Sequence, residues 1–316
     1  MVDNKINISL PFTGERYVPE VEGQIEMEHL HRYALALEYA KGKNVLDIAS
    51  GEGYGANLLS QVAKSVTGVD ISEEAINHAK QKYVKNNLSF IQGSADSIPC
   101  ETNIFDLVVS FETIEHHDKH IEMLQEIKRV LKPEGVLILS SPDKTNYTDI
   151  PRYQNPFHVK ELYVDELRSL MAKYFRFSKM YFQKVEYSSI IAAEKNNSSF
   201  SEIWGDYLNL HYSNILQNPI YDIIIASDYE LSNLGISIFN GKKVFSEIIL
   251  NIERTTVELG RTIGELEQTK GELNRVYRSR TWRWGNKIAD FVMLLVPENS
   301  LRRKIMNKLE KFEKKQ

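Results

Sequence analysis

The heptapeptide FETIEHH, residues 111–117, places two carboxylates and two imidazoles within six positions, directly after the apolar run FDLVVS. Glu112, Glu115 and His116 stand at i, i+3 and i+4, so a helical turn opening at Glu112 would project all three to one side. Two carboxylates and an imidazole that converge repel each other unless a proton or a cation joins them. Carboxylate oxygens, water and one nitrogen suit Mg²⁺ or a similar divalent ion, which makes Glu112, Glu115 and His116 a candidate ligand set. Two other readings stand beside it: a metal-free His116 acting as base or positioning group, and a structural turn. His117 is expected to face solvent, and His158, in NPFHVKEL, to line the same pocket.

A second constellation lies in VLDIASGEGYG, residues 45–55. Glycines at 51, 53 and 55 let backbone approach a ligand, and a helix opening near Tyr54 favours anionic groups at its N-terminus. Asp47 sits inside the preceding apolar run. Asp70 ends the next one, where a carboxylate can accept hydrogen bonds from a ribose diol. The spacing is G-x-G-x-G rather than G-x-G-x-x-G, which disfavours a pyrophosphate binder.

The elements that position these groups are legible as short apolar runs at 44–49, 65–70, 88–93, 105–111 and 135–141, each bounded by turn residues. Between them, SEEAINHAKQKY has an acidic first turn after Ser72. KHIEMLQEIKRVLK puts Ile121, Leu124, Ile127 and Leu131 on one face of a helix stopped by Pro133 and Gly135. Such alternation calls for an α/β fold with a parallel sheet covered on both faces. Residues 177–185 and 220–227 fit further strands. The Asn- and Ser-rich stretch 188–219 reads as an insertion or lid.

The glycine loop with its acidic partner resembles the class I S-adenosylmethionine-dependent methyltransferases. That resemblance implies a doubly wound, mostly parallel seven-stranded sheet over residues 25–230, and S-adenosylmethionine as cofactor. It implies that Asp47, Ala49, Gly51 and Gly53 hold the methionine end, Asp70 and Ile71 the ribose, and Ala95 or Asp96 the adenine, with Phe111 packed nearby. Ser94 stands where the family often has Asp. The E-x-x-E-H spacing resembles the metal-binding turn of ubiquinone-biosynthesis O-methyltransferases and of small-RNA 2′-O-methyltransferases. This implies a divalent ion beside the donor, a donor contact from Arg32, and a catalytic set of Glu112, His116 and His158 in which one imidazole is a ligand and the other a base.

Composition bounds the rest. One cysteine, Cys100, in 316 residues excludes an intramolecular disulfide framework and fits a reducing cytoplasm. The opening residues carry no basic-then-apolar leader pattern, and FVMLLV at 291–296 is too short to span a bilayer. From Arg278 onward eleven Lys and Arg face four Asp and Glu, a net of +7, leaving −11 for the body. An acidic body disfavours nucleic acid as acceptor, whereas the tail suits an anionic surface.

From Ile249 to Tyr277, three- and four-residue steps through Ile252, Thr256, Leu259, Ile263, Leu266, Lys270 and Leu273 make a heptad seam, expected to self-associate as a coiled coil. The expected division is an N-terminal loop (1–24), catalytic domain (25–230), linker (231–245), coiled coil (246–280) and basic amphipathic tail (281–316), the tail peripheral on the inner face of the cell membrane. FTGERYVPE, SSPDKTNY, NPFHVKEL and RVYRSRTWRWG resemble enzymes of bacterial surface-polysaccharide (O-antigen) assembly. The resemblance implies a glycan or sugar acceptor and a glycosyltransferase partner. A quinone-precursor acceptor and a membrane-proximal scaffold are the competing expectations.

Overall fold

A computed structural model describes residues 10, 17–19, 24–186, 188–194, 200–205, 210–279, 283–285, 287, 288, 291, 295 and 304. Its elements run α1 (Gln24–Ala40), β1 (Asn44–Ile48), α2 (Tyr54–Leu59), β2 (Ser65–Asp70), α3 (Glu73–Lys82), β3 (Leu88–Gln92) and β4 (Phe105–Phe111). They continue with α4 (His120–Val130), β5 (Leu131–Pro142), α5 (Val164–Met171), β6 (Phe177–Val185) and β7 (Ser189–Ala193). Last come β8 (Glu202–Gly205), β9 (Leu210–Ser213), β10 (Tyr221–Ser227), β11 (Ser237–Phe239) and α6 (Lys242–Arg278).

One sheet has the order β11-β7-β6-β10-β5-β4-β1-β2-β3. β1 to β5 are mutually parallel, and β10 runs antiparallel between β5 and β6. Nine strands replace the seven expected, because β7 and β11 extend the edge beyond β6. Both additions fall in stretches assigned otherwise from sequence. β7 lies in the supposed insertion, yet Ile191 and Ala192 are buried. β11 and the first turn of α6 lie in the supposed linker. The rest of the 188–219 stretch includes the two-stranded β8–β9 hairpin.

Strand alternation distributes the core. Val45, Leu107, Val109, Ile138, Ile223 and Ile225 pack with Tyr33, Ala36, Leu59 and Ile76 of the first three helices. Leu46, Ile48, Val108, Leu137, Leu139 and Ile224 face Leu124, Ile127, Leu167 and Met171 of α4 and α5. Pro133 and Gly135 do not simply stop a helix: α4 passes directly into β5 at Leu131, and both residues lie within that strand.

The chain divides into two compact units, 1–246 and 247–316. Within the second, Ile249, Ile252, Leu259, Ile263, Leu266 and Leu273 of α6 are all exposed. Among the described residues no helix is long and apolar enough to cross a membrane. Most of the N-terminal loop, including Glu15 and Arg16, and most of the basic tail, including Trp282, lie outside the described residues.

Candidate functional site

The parallel strands direct their carboxyl ends to one edge, and there a cavity of about 560 Å³ opens beyond β1, β2 and β4. This is where open α/β sheets bind ligands. Ala49, Gly51, Asp70, Ile71, Ala95, Asp96, Phe111, Arg32, Glu112, Glu115, His116 and His158 line it. Asp47 and Gly53 are not among the lining residues.

The loop after β1 is sharply turned, with Ala49 at φ 56°, Gly51 at 55° and Gly53 at 94°. A Cβ on Gly53 would press on Ala79 and Phe90, and one on Gly55 would sit 1.9 Å from the Tyr33 ring. Close packing against α3 and β3 therefore requires glycine at 53, and close packing of α1 on α2 requires it at 55. Asp47 lies under this loop, accepting from the Tyr33 hydroxyl at 3.1 and 3.2 Å. Burial pushes its carboxyl up to about 7, against the Tyr33 and Ala56 hydrogen bonds. It stands four residues before Gly51, inside β1, which explains why the loop backbone rather than its carboxylate reaches the cavity.

Asp70 does reach it. Its Oδ2 accepts from Gly51 N–H at 2.8 Å and its Oδ1 from Ser72 N–H at 2.9 Å, so one carboxylate joins the first two βα turns. Each oxygen keeps a second lone pair for a diol. Asp96 is held by Lys119, whose Nζ donates at 2.6 Å, and by Ser94; these contacts bring its carboxyl down to about 2. Glu52, at the centre of the glycine run, is buried and fastens the loop to α3, pairing with His78 at 2.8 Å and Lys82 at 2.7 Å.

The FETIEHH turn is not the helix its spacing suggested. Glu112 has φ 49°, and a 3-10 turn spans only Ile114–His116, so Glu112 and Glu115 diverge. Glu112 turns to Ser140, whose hydroxyl donates to it at 2.5 Å, and to the guanidinium of Arg32 at 3.7 Å. Arg32 is 1% exposed, so its charge needs a carboxylate nearby. It also donates to Gln183 at 2.9 Å and lies over the Tyr221 ring.

His158 takes the place Glu112 leaves. One ligand atom each from Glu115, His116 and His158 lies within 4.8 Å of the others. The two imidazoles meet edge to face, centroids 5.1 Å apart. The Glu115 carbonyl accepts from Val159 and Lys160 N–H at 2.8 and 3.0 Å, which clamps this turn to the 155–161 loop. The Phe157 carbonyl accepts from His116 Nδ1 at 3.2 Å, leaving Nε2 on the Glu115 side. His117 also lines the cavity rather than facing solvent, and burial lowers its pKa.

Tyr147, Asn155 and Tyr221 also line the wall, as do Glu28, His29 and Tyr54, and none was read as a site residue from sequence. For Asn155 a signal existed: N-P-F-H-V-K-E sets Asn155 and Glu161 three residues either side of His158. Tyr147 and Tyr221 sit in stretches whose role only the assembled edge reveals.

Residues 46–139 match the family described as methyltransferase domain. The chain carries a class I S-adenosylmethionine-dependent methyltransferase domain. Over 174 residues it is 33% identical to a protein of Mycolicibacterium smegmatis named "Probable S-adenosylmethionine-dependent methyltransferase/", covering 54% of this chain and 66% of that one. Over 111 residues it is 33% identical to the ubiquinone biosynthesis O-methyltransferase of Haemophilus ducreyi, covering 33% of this chain and 47% of that one. The chain thus spans less than two thirds of either relative. A SAM-dependent methyltransferase structure from Archaeoglobus fulgidus aligns at a TM-score of 0.47 and 23% identity, over 64% of this chain and 92% of its own.

In this methyltransferase domain the cavity wall fits the donor. Gly51 and Ala49 bring bare backbone to it, Asp70 offers diol acceptors, and Ile71, Ala95 and Phe111 offer apolar surface.

Proposed function

We propose that the chain is an S-adenosylmethionine-dependent O-methyltransferase acting on a sugar hydroxyl in bacterial surface-polysaccharide synthesis. The observation that carries the reading is the convergence of Glu115, His116 and His158 within 4.8 Å on the wall that also bears the donor cradle. A hydroxyl is a poor nucleophile until its proton leaves, and carboxylate with imidazole is an acceptor pair that can remove it. The sugar itself is supported by the NPFHVKEL and FTGERYVPE resemblances.

S-adenosylmethionine supplies a methyl carbon already electrophilic on its sulfonium. The chain's residues have two tasks: to hold the acceptor oxygen in line with that carbon and to take its proton. Ala49, Gly51 and Asp70 fix the donor end, and Tyr147 and Tyr221 flank the space beyond it. His158, opposite Glu115 and His116, receives the hydroxyl proton as the oxygen–carbon bond forms and the carbon–sulfur bond breaks. Glu115 and His116 would hold a divalent ion, which would lower the pKa of the hydroxyl bound to it.

A second reading, a small aromatic or quinone-precursor acceptor, is favoured by the Haemophilus relative's name and by the tyrosines on the cavity wall. The exposed seam of α6 supports a role in self-association, and the basic tail a place at the inner membrane surface beside a glycosyltransferase; a catechol enzyme has no need of either.

The test is incubation of the full chain with methyl-labelled donor and either bacterial surface polysaccharide or a catechol. Label recovered in a methylated sugar supports the first reading. Label in the catechol alone replaces it with the second.

A further inference from the structure

We propose that Glu161 is a positioning residue that decides which nitrogen of His158 carries the proton and which keeps the lone pair that an acceptor hydroxyl needs. This deepens the reading of His158 as proton acceptor and rests on it. Three side chains of one loop carry the argument.

His158 is held at both ring nitrogens. Nδ1 lies 2.6 Å from Glu161 Oε1, and Nε2 lies 3.0 Å from Asn155 Nδ2. An ionised carboxylate only accepts, so Nδ1 must donate. The orientation of the Asn155 amide is fixed independently, because its Oδ1 accepts from Phe157 N–H at 3.1 Å. Its Nδ2 therefore points at His158 and must donate, so Nε2 must accept. Two partners, oriented for unrelated reasons, demand the same tautomer: proton on Nδ1, lone pair on Nε2.

Glu161 is itself fixed. Thr148 Oγ1 donates to its Oε2 at 2.6 Å, which leaves Oε1 for the imidazole. The His158 and Glu161 side chains are each 7% exposed, so water competes little for these bonds. Tyr147 stacks on the ring at 23° with centroids 5.4 Å apart, which restrains its plane. Thr148 and Tyr147 belong to one π-helical turn, Thr145–Asp149, after β5. That turn thus sets both the rotation and the protonation pattern of an imidazole eleven residues later.

The consequence is directional. Without Glu161 the proton is free to sit on Nε2, and the ring's one lone pair then lies on Nδ1, on the Glu161 side, so Nε2 no longer accepts a proton from a hydroxyl. Asn155 holds the Nε2 lone pair until an acceptor hydroxyl replaces it. His116 follows the same logic, its Nδ1 donating to the Phe157 carbonyl. Carboxylates that orient a functional imidazole in this way typically contribute about 10- to 100-fold to metal affinity or activity.

The experiment needs no acceptor. Long-range ¹H–¹⁵N correlation spectra of the full chain, with ring-labelled histidine at pH about 8.5, lie well above the ordinary imidazole range near about 6.5. His158 is assigned by the resonances missing from His158→Ala. The expected wild-type ring has Nδ1 protonated and Nε2 bare; Glu161→Gln, which keeps an oxygen acceptor, retains that pattern, and Glu161→Ala moves the proton toward Nε2. S-adenosylhomocysteine titrations of each variant, expected to match wild type, separate this from misfolding. A proton on Nε2 in the wild type, or a charged ring, overturns the proposal by itself, as does a Glu161→Ala spectrum identical to wild type. Failure here leaves the methyl-transfer reading standing, since that depends on the labelling experiment alone.

Discussion

Glu112 faces Arg32 at 3.7 Å across the cavity wall, and this pairing removes Glu112 from the cluster formed by Glu115, His116 and His158. The guanidinium is almost wholly buried, with Nε and Nη2 lacking a hydrogen-bond partner among the described residues. A buried cation with few partners holds its carboxylate strongly.

Glu112→Gln therefore uncovers a buried charge. It should lower stability by about 3 kcal/mol in urea unfolding. Affinity for Mn²⁺, used as the probe ion in calorimetry, should stay at the wild-type value, whereas Glu115→Gln should reduce it at least about 10-fold. Loss of Mn²⁺ binding in Glu112→Gln would restore the ligand set suggested by spacing alone.

Asp222 predicts a pH dependence. It is fully buried on the α4–α5 side of β10, neither oxygen has a hydrogen-bond partner among the described residues, and burial, with Asp143 adding, pushes its carboxyl up to about 8. The ordinary value is 3.8. Between those values the folded chain binds the proton and the unfolded chain releases it, so stability falls as pH rises from about 4 to about 8 and levels beyond. Asp222→Asn should remove Asp222's share of that decline, most visibly between pH about 7 and 8, above the range in which Asp47 adds a fall of the same sign. Urea midpoints at pH 6 and 9 that shift equally in variant and wild type would contradict the assignment.

The exposed seam of α6 predicts self-association. Sedimentation equilibrium of the full chain should give a multiple of the chain mass, and Leu259→Lys with Leu266→Lys should return it to one chain. Gly260, Gly264 and Gly271 have open space around their missing Cβ positions, so nothing local compensates for their weak helix propensity. A single-chain mass for the wild type at micromolar concentration would contradict the prediction.

The parallel half of the sheet was legible because β1, β4 and the second half of β5 are apolar runs with both faces largely buried, while β2 and the edge strand β3, of which only Phe90 is buried, were marked by their bounding turns. β2, β4 and β6 coincide with the stretches read from sequence. β7 and β11 were not legible. SIIAA is short, its neighbours are rich in Ser and Asn, and its partners are β6 and a three-residue strand more than forty residues on. The site shows the same division. Asp70 and the glycine turn follow from local spacing, since both belong to consecutive βα turns. The partner of Glu112 did not, because Arg32 comes from a helix eighty residues earlier. Spacing specifies which groups share a helical face only if a helix forms, and the left-handed Glu112 prevents it. His158 was recognised as a candidate from its motif, but its contact with His116 depends on the clamp between the Glu115 carbonyl and the 155–161 loop.

The central claim is that the cavity beyond β1, β2 and β4 binds S-adenosylmethionine, with Asp70 as its diol acceptor. Calorimetric titration of the full chain with S-adenosylhomocysteine tests it most directly. The account predicts one site per chain and a loss of about 10- to 100-fold in Asp70→Ala, the scale of hydrogen bonds to a charged group. No binding at millimolar ligand, or undiminished binding in Asp70→Ala, would contradict it.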